Sequence, residues 1–376
     1  MNEHFPKLLG LPAPGKSKIG AEIIAPNQTS EIEKKPAVHG RDLNSSDLLL
    51  LGVNDSLKKI MSEEYGIDSN FGSEFPTAFS TTSRKVIIDD GKHKYFIKEK
   101  PKYSCNPYNL SLSARFQQFL SHRTDFVPRI INTKSGNPYL QIGETHFLTT
   151  EFKEGRIFNG SIQDTANAGA TLGKIHLLSK EFDFPDLRKR YAGEDTLQFI
   201  NMADQLKGAQ DDEWKQKAVL ALKDIVDKYS GQMDQDVPYL VNHADYAPFN
   251  LVYDKNGTVV AVNDFDNVDY RPRIRDLAGA VISFCDGLSY AGTTSTLRKP
   301  ITTSLNLEKA KAFIKGYAAN SPALSPKEKA ELVGEMNIRW AKIMSLGIVR
   351  GDFSYRDVLE ALSFQAFVEK NIPTIL

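Results

Sequence analysis

The chain has 376 residues, of which 41% are hydrophobic, 25% charged and 10% aromatic; this excludes wholesale disorder and fibrous repeats, and the length exceeds one ordinary hydrophobic core. Basic and acidic residues number 47 each, so no overall field draws the chain to nucleic acid or to an anionic membrane. Two cysteines, Cys105 and Cys285, rule out a disulfide framework, and with no leader-like N-terminus and no bilayer-length apolar run the expectation is a soluble, cytoplasmic protein.

Residues 1–44 hold Pro6, Pro12, Pro14, Pro26 and Pro36 without a sustained period and read as an extension over the surface. A short helix follows, capped by Asn54 or Asp55, with Leu57, Ile60 and Met61 on one face and Gly66 as its stop. The extension with its helix is set at 1–66, and 67–153 is dominated by strand signals. Runs at 84–88 and 94–98 flank Asp89-Asp90-Gly91, a hairpin turn. An amphipathic helix over 110–122 carries Leu112, Phe116, Phe119 and Leu120 on its apolar side, and strands at 139–142 and 146–152 flank Gly143-Glu144.

The remainder, 154–376, is mostly helical, with helices predicted at 161–179, 196–206, 212–229, 275–288, 307–318, 325–345 and 355–369. A strand-rich island at 239–265, turning at Asn256-Gly257, interrupts them. The predicted fold class is α+β: a small antiparallel β-rich lobe followed by a larger helical lobe.

Two motifs compete for the chemistry. Gly10 to Ser17 matches G-x-x-x-x-G-K-S, but a phosphate loop needs a strand before it, a helix after it and successive backbone N–H donors. Pro12 and Pro14 remove two of those donors, so the match reads as coincidence. The second motif, His243-Ala244-Asp245-Tyr246-Ala247-Pro248-Phe249-Asn250, lies between strand-like segments, and Asp264-Phe265-Asp266 closes a hairpin fourteen residues after Asn250. Such a loop and strand end can bring oxygen ligands to one point, as phosphoryl transfer requires.

The block 241–278, which ends in Arg275-Asp276-Leu277-Ala278, resembles the aminoglycoside phosphotransferase and choline kinase-like family, relatives of the protein kinases. Leu172-Gly173-Lys174-Ile175-His176 partly matches a further family segment, and Phe96-Ile97-Lys98 fits its third-strand lysine. The resemblance implies a bilobal kinase-like fold, ATP or GTP with Mg2+, and transfer to a hydroxyl of a small-molecule acceptor such as an aminoglycoside, amino alcohol, homoserine or sugar. It implies Asp245 as the catalytic carboxylate, and Asn250 with Asp264 as metal ligands. Asp266 is a second metal or site-ordering carboxylate, and His243 and Asp276 brace the loop. Lys98, with Lys100 as fallback two residues on, would neutralise the phosphates; Thr150, Glu151 and Phe152 would form the adenine hinge. Ser80, Thr81, Thr82 and Ser83 occupy the place of the nucleotide-covering loop.

The helix glutamate that pairs with the lysine in kinases has no counterpart between Lys100 and Asn132, so Ser113, Gln117 or Gln118 substitutes or the pair is absent. Asp286 and Asp352 are acceptor-site candidates that favour a cationic substrate. The alternative is a catalytically weak nucleotide-binding pseudokinase acting through protein partners. Neither nucleic acid nor membrane is an expected partner.

Overall fold

The computed structural model describes residues 55–68, 71–74, 85–100, 105–185, 213–230, 237–286, 289–290, 297–299, 304–350, 353 and 363–376. The 10–17 motif, Ser80, Thr81, Thr82, Ser83, Asp352 and the helix predicted at 196–206 lie outside them.

The small lobe begins with α1 (Asp55–Ile60), which continues into one π-helical turn over Met61–Tyr65. It stops where predicted, at Gly66, whose φ of 71° is left-handed backbone that favours glycine. Strands β1 (Phe71–Glu74), β2 (Lys85–Asp89) and β3 (Lys94–Glu99) precede α2 (Pro107–Ser121); β4 (Tyr139–Ile142) and β5 (Thr145–Glu151) follow it. They form one antiparallel sheet in the order β1-β2-β3-β5-β4. The β2–β3 turn is held by its aspartates: Asp89 Oδ1 accepts from the Gly91 N–H at 2.8 Å, and Asp90 Oδ1 from those of Lys92 and His93.

Register sorts the two faces. Val86 lies opposite Ile97 and Lys85 opposite Lys98, and side chains alternate along a strand. Val86, Ile88, Ile97 and Phe147 therefore pack with Leu57, Ile60, Met61 and Ile67 in a closed apolar cluster. The short helix read as part of an extension is thus half of the small-lobe core. The opposite face is left to Lys85 and Lys98. Leu112, Phe116 and Leu120 of α2 join the core of the large lobe, which fixes this helix against the second half of the molecule.

The large lobe runs α3 (Ile162–Ser179), α4 (Glu213–Ser230), β6 (Tyr239–Asn242), β7 (Leu251–Tyr253), β8 (Val259–Val262), β9 (Asp269–Pro272), α5 (Arg273–Phe284), β10 (Ser289–Tyr290), β11 (Leu297–Lys299), α6 (Leu307–Ala318), α7 (Pro326–Arg350) and α8 (Ser363–Asn371). Strand β9 was not predicted: Asp-Tyr-Arg-Pro has no apolar alternation and becomes a strand by pairing with β6. Helix α5 ends at Phe284, four residues before the predicted end. Among the described residues no helix is long and apolar enough to cross a membrane.

Helices α3 and α6 cross with their backbones in contact. A Cβ on Gly173 would stand 2.6 Å from the Tyr317 carbonyl oxygen, and Cβ atoms on Gly169 and Gly316 would meet the carbonyls of Phe313 and Ala166 even more closely. At the base of the lobe, buried Arg273 grips Glu328 with two N–H groups at 2.6 and 2.9 Å. Glu328 also completes a capping box: its N–H donates to Ser325 Oγ at 3.1 Å, and the Ser325 N–H donates to Glu328 Oε2 at 2.9 Å. One carboxylate thus starts α7 and ties it to α5.

The helix crossing predicts that Gly316→Ala lowers stability by at least about 1–3 kcal/mol, because close-packed backbones have no room for a methyl group. A fall in the urea midpoint at unchanged slope measures this; an unchanged midpoint contradicts the contact.

Candidate active site

The loop after β6 is held by one carboxylate. Asp276, in the first turn of α5, accepts from the backbone N–H of His243 at 3.0 Å and of Ala244 at 3.1 Å. Ala244 has φ 62°, an unfavourable value for a residue with a Cβ, and this latch sustains it. His176 of α3 completes the brace, with Nε2 3.3 Å from Asp276 and Nδ1 2.9 Å from the Tyr317 hydroxyl. A carboxylate only accepts, so Nε2 carries the proton and Nδ1 accepts from Tyr317, whose hydroxyl burial pushes up to about 12. Burial alone would raise the Asp276 carboxyl; the hydrogen bonds from the His176 ring and the His243 amide bring it below the usual carboxylate range.

His243 is fully buried. Its Nε2–H donates to the Asn263 carbonyl at 2.9 Å, its Nδ1 accepts from the Asp245 N–H at 3.3 Å, and its ring lies 4.8 Å from that of Phe265. Both ring nitrogens are used in shaping the loop. Asn250 donates its side-chain amide N–H to the Asp245 backbone carbonyl at 2.8 Å, and its backbone carbonyl accepts from the Asn263 N–H at 2.8 Å. With the nitrogen turned toward Asp245, Asn250 Oδ1 is the amide's acceptor oxygen.

The lobes meet at a lysine. Lys98 Nζ stands 2.6 Å from Asp264 Oδ1 and 2.7 Å from Asp266 Oδ2, and Lys100 pairs with the other Asp266 oxygen. Both lysines are buried. Asp264 reaches this point from a left-handed φ of 69° at the end of β8. Burial alone would discharge these groups, but Lys98 holds the Asp264 carboxyl well below its ordinary range, and the two aspartates hold the Lys98 ammonium above its own. Asp245 moves the other way: burial and the neighbouring Asp264 charge raise it, against the opposing pull of Arg339, His243 and Lys98. Two carboxylates in one site are thus driven apart, one fixed as an anion and the other made more basic.

The structure revises several expectations. Ser113 donates to the Phe265 carbonyl at 2.7 Å, Gln117 to that of Pro128 at 3.0 Å, and Gln118 to Asn132 Oδ1 at 3.2 Å, so none of them takes the place of the helix glutamate beside Lys98. Asp264 and Asp266 pair with the lysine instead. The hinge donors are also committed: the Glu151 N–H binds the Arg129 carbonyl at 2.9 Å and the Phe152 N–H that of Lys94 at 2.8 Å, while Thr150 is in the ladder opposite Phe96. The next N–H, that of Lys153, bonds to no other described residue. Asp286 is paired with Lys309, whose Nζ lies 2.7 and 3.0 Å from its two oxygens.

Lys85, near the site, escaped the sequence reading, whereas Arg339 was expected only in the acceptor-cleft wall, within the segment 339–344. Lys85 faces the same side of the sheet as Lys98, and burial together with the Lys98 charge lowers its ammonium. Its signal was the hairpin register, which places it one strand over from Lys98. Arg339 lies near Asp245 from α7, about ninety positions away, and no local pattern connects them. Among the described residues no group of three or more His, Cys, Asp or Glu forms a metal-binding cluster; the oxygen set here is two carboxylates and one amide.

The model of the phosphotransferase enzyme family (APH) matches residues 78–304, more than half of the chain. The chain belongs to that family. This phosphotransferase shares its fold with solved structures of low identity. Amicoumacin kinase hAmiN, in complex with AMP-PNP, Ca2+ and Ami, has a TM-score of 0.62 at 18% identity, over 88% of this chain and 97% of that one. A microcompartment-associated aminopropanol kinase has 0.60 at 15%, over 85% and 98%. Choline kinase LicA from Streptococcus pneumoniae has 0.52 at 12%, over 85% and 98%. A search of curated proteins returned no match. The family is one of small-molecule kinases, and the antiparallel small lobe with a helical large lobe is its architecture.

The Asp276 latch predicts a pH signature. In the folded state its carboxyl titrates below the ordinary aspartate range, so the stability it contributes is full above about pH 4 and is lost as pH falls through the lowered value. Asp276→Asn should cost about 1–3 kcal/mol at pH 7, and its deficit relative to wild type should shrink below pH 4 in urea titrations. A pH-independent deficit contradicts the assignment.

Proposed function

We propose that this phosphotransferase moves the γ-phosphoryl group of ATP, or of GTP, to a hydroxyl of a small molecule. The observation that carries the reading is the meeting of Lys98 from the small lobe with Asp264 and Asp266 from the large lobe, beside the loop that presents Asp245 and Asn250. Phosphoryl transfer asks little covalent work of a protein. It asks for fixed cations where phosphate charge sits and a carboxylate at the incoming hydroxyl.

Asp245, half-buried and more basic than an ordinary aspartate, accepts the acceptor's hydroxyl proton as the oxygen attacks phosphorus. Lys98 and Lys85 hold the phosphate charge from the sheet side. Asp264 Oδ2, the carboxylate oxygen that Lys98 leaves, and Asn250 Oδ1 form a hard oxygen donor set that fits Mg2+, which when bound would neutralise charge on the phosphate oxygens. Both Asp266 oxygens are engaged by lysines, which fits the site-ordering role of its two readings: it does for Lys98 what a helix glutamate does in kinases. The adenine hinge then begins at Lys153 and not at Glu151 or Phe152. The pseudokinase alternative rested on a missing lysine partner, and that partner is present from another element.

Names of structural relatives include acceptors as different as amicoumacin, spectinomycin, aminopropanol and choline. Aminoglycosides, amino alcohols, homoserine and sugars therefore form the first panel.

Asp245→Asn should retain ATP binding and lose transfer by about 10²–10⁴-fold, the span of general-base contributions; single-turnover transfer with the panel measures it, and undiminished transfer contradicts the role. Lys85→Met should raise the KM for ATP by roughly tenfold, as for loss of one charged hydrogen bond, whereas Lys16→Ala in the discarded motif should leave it unchanged. The reverse pattern would place the nucleotide at the wrong motif.

A further inference from the structure

The catalytic carboxylate has a cationic neighbour that the reaction as described does not use. Arg339 lies on α7, half-buried. A Cβ built on Gly279 of α5 would lie 3.5 Å from its Nε, so the guanidinium stem crosses α5 where that helix has no side chain. Gly279 is three residues, less than one helical turn, beyond Asp276, which holds the His243 and Ala244 amides. Arg339 therefore passes beside the turn of α5 that follows Asp276, and its charge is felt at Asp245. Lys98 and Lys85 approach the same centre from the sheet. Arg339 comes from the helical lobe, so a ligand it holds would approach Asp245 from that side.

Arg339 forms no ion pair or hydrogen bond with another described residue. Arg273, a buried arginine of the same lobe, is by contrast occupied by Glu328 and by the carbonyls of Pro322 and Ala323. A guanidinium presents a planar fork of donors matched to the two oxygens of a carboxylate or phosphate. The acidic residue expected to attract a cationic acceptor, Asp286, is paired with Lys309.

We propose that Arg339 is the specificity-determining residue of the acceptor site, binding a carboxylate or phosphate of the acceptor while the acceptor's hydroxyl faces Asp245. The acceptor is then a hydroxy acid or a phosphorylated alcohol, and a free amino alcohol is a poor substrate because its ammonium would meet a fixed cation. This rests on the phosphotransferase reading of the Asp245 loop.

The test is transfer from ATP–Mg2+ by the full chain to three sets of probes of similar length: hydroxy acids (4-hydroxybutyrate, D-glycerate), a phosphorylated alcohol (glycerol 3-phosphate) and amino alcohols (1-amino-2-propanol, choline). The expected result is at least tenfold higher kcat/KM for one anionic set; which set responds decides between carboxylate and phosphate. Arg339→Gln should raise the KM for that acceptor by about tenfold to a hundredfold, with the KM for ATP unchanged, and Arg339→Lys should restore part of it. Thermal melts of both variants, with retained ATP binding, establish that they are folded. Preference for amino alcohols overturns the proposal, as does an acceptor KM unmoved in Arg339→Gln. A uniform loss of kcat with every acceptor also overturns it, because Arg339 would then touch the transferring phosphoryl group. In those cases transfer that is lost in Asp245→Asn keeps the phosphotransferase reading intact. No transfer to any probe, with basal ATP hydrolysis indifferent to Asp245→Asn, overturns both.

Discussion

A single ammonium group joins the two halves of this molecule. Lys98 leaves the third strand of the sheet and ends between Asp264 and Asp266, which are more than 160 positions away in the chain. Burying three charges is costly unless each is matched, and here the match extends to a fourth: Lys100 takes the remaining Asp266 oxygen. The cluster fixes where the sheet stands over the helical lobe. It also sets the charge states that the chemistry needs, an ionised Asp264 and a more basic Asp245.

The rest of the architecture serves that point. Helix α1 fills one face of the sheet with apolar side chains, leaving the other to Lys85 and Lys98. Ser113 of α2 bonds to the backbone of Phe265, between the two aspartates, so the small-lobe helix steadies the turn that carries them. From below, Asp276 fixes the strained Ala244, and His176 and Tyr317 fix Asp276. The backbone after the hinge is pinned to the same hairpin, with Arg156 and Tyr253 exchanging hydrogen bonds at 2.7 and 2.8 Å. Strain in the loop is thus carried by buried, fully bonded groups outside the cavity, a common division of labour at functional sites.

Much of this was legible in the sequence because it is encoded locally. The Asp89-Asp90-Gly91 turn, the Gly66 stop and the 307–318 helix follow from short-range propensity and period. Asp245, Asn250 and Asp264 could be read because a loop and one hairpin suffice to bring them together. What the sequence did not show depends on long-range pairing. Strand β9 forms from β6; Lys85 gains its place from a register; Arg339 nears Asp245 only through the packing of α7 on α5. The absent helix glutamate was legible as an absence, but its replacement was not, since the partners of Lys98 come from a different lobe. Strand pairing consumes the Glu151 and Phe152 N–H groups at the predicted hinge, a long-range effect that no local pattern shows.

The cross-lobe cluster is tested most directly by a double-mutant cycle of Lys98→Met and Asp266→Asn, read in both unfolding free energy and kcat/KM for ATP. If Asp266 acts through Lys98, the second substitution should add little to the first, giving a coupling of at least about 1 kcal/mol. Effects that add to within about 0.5 kcal/mol, the behaviour of independent sites, would show that the lysine and the aspartate do not work as one unit, and the account would fail at its centre.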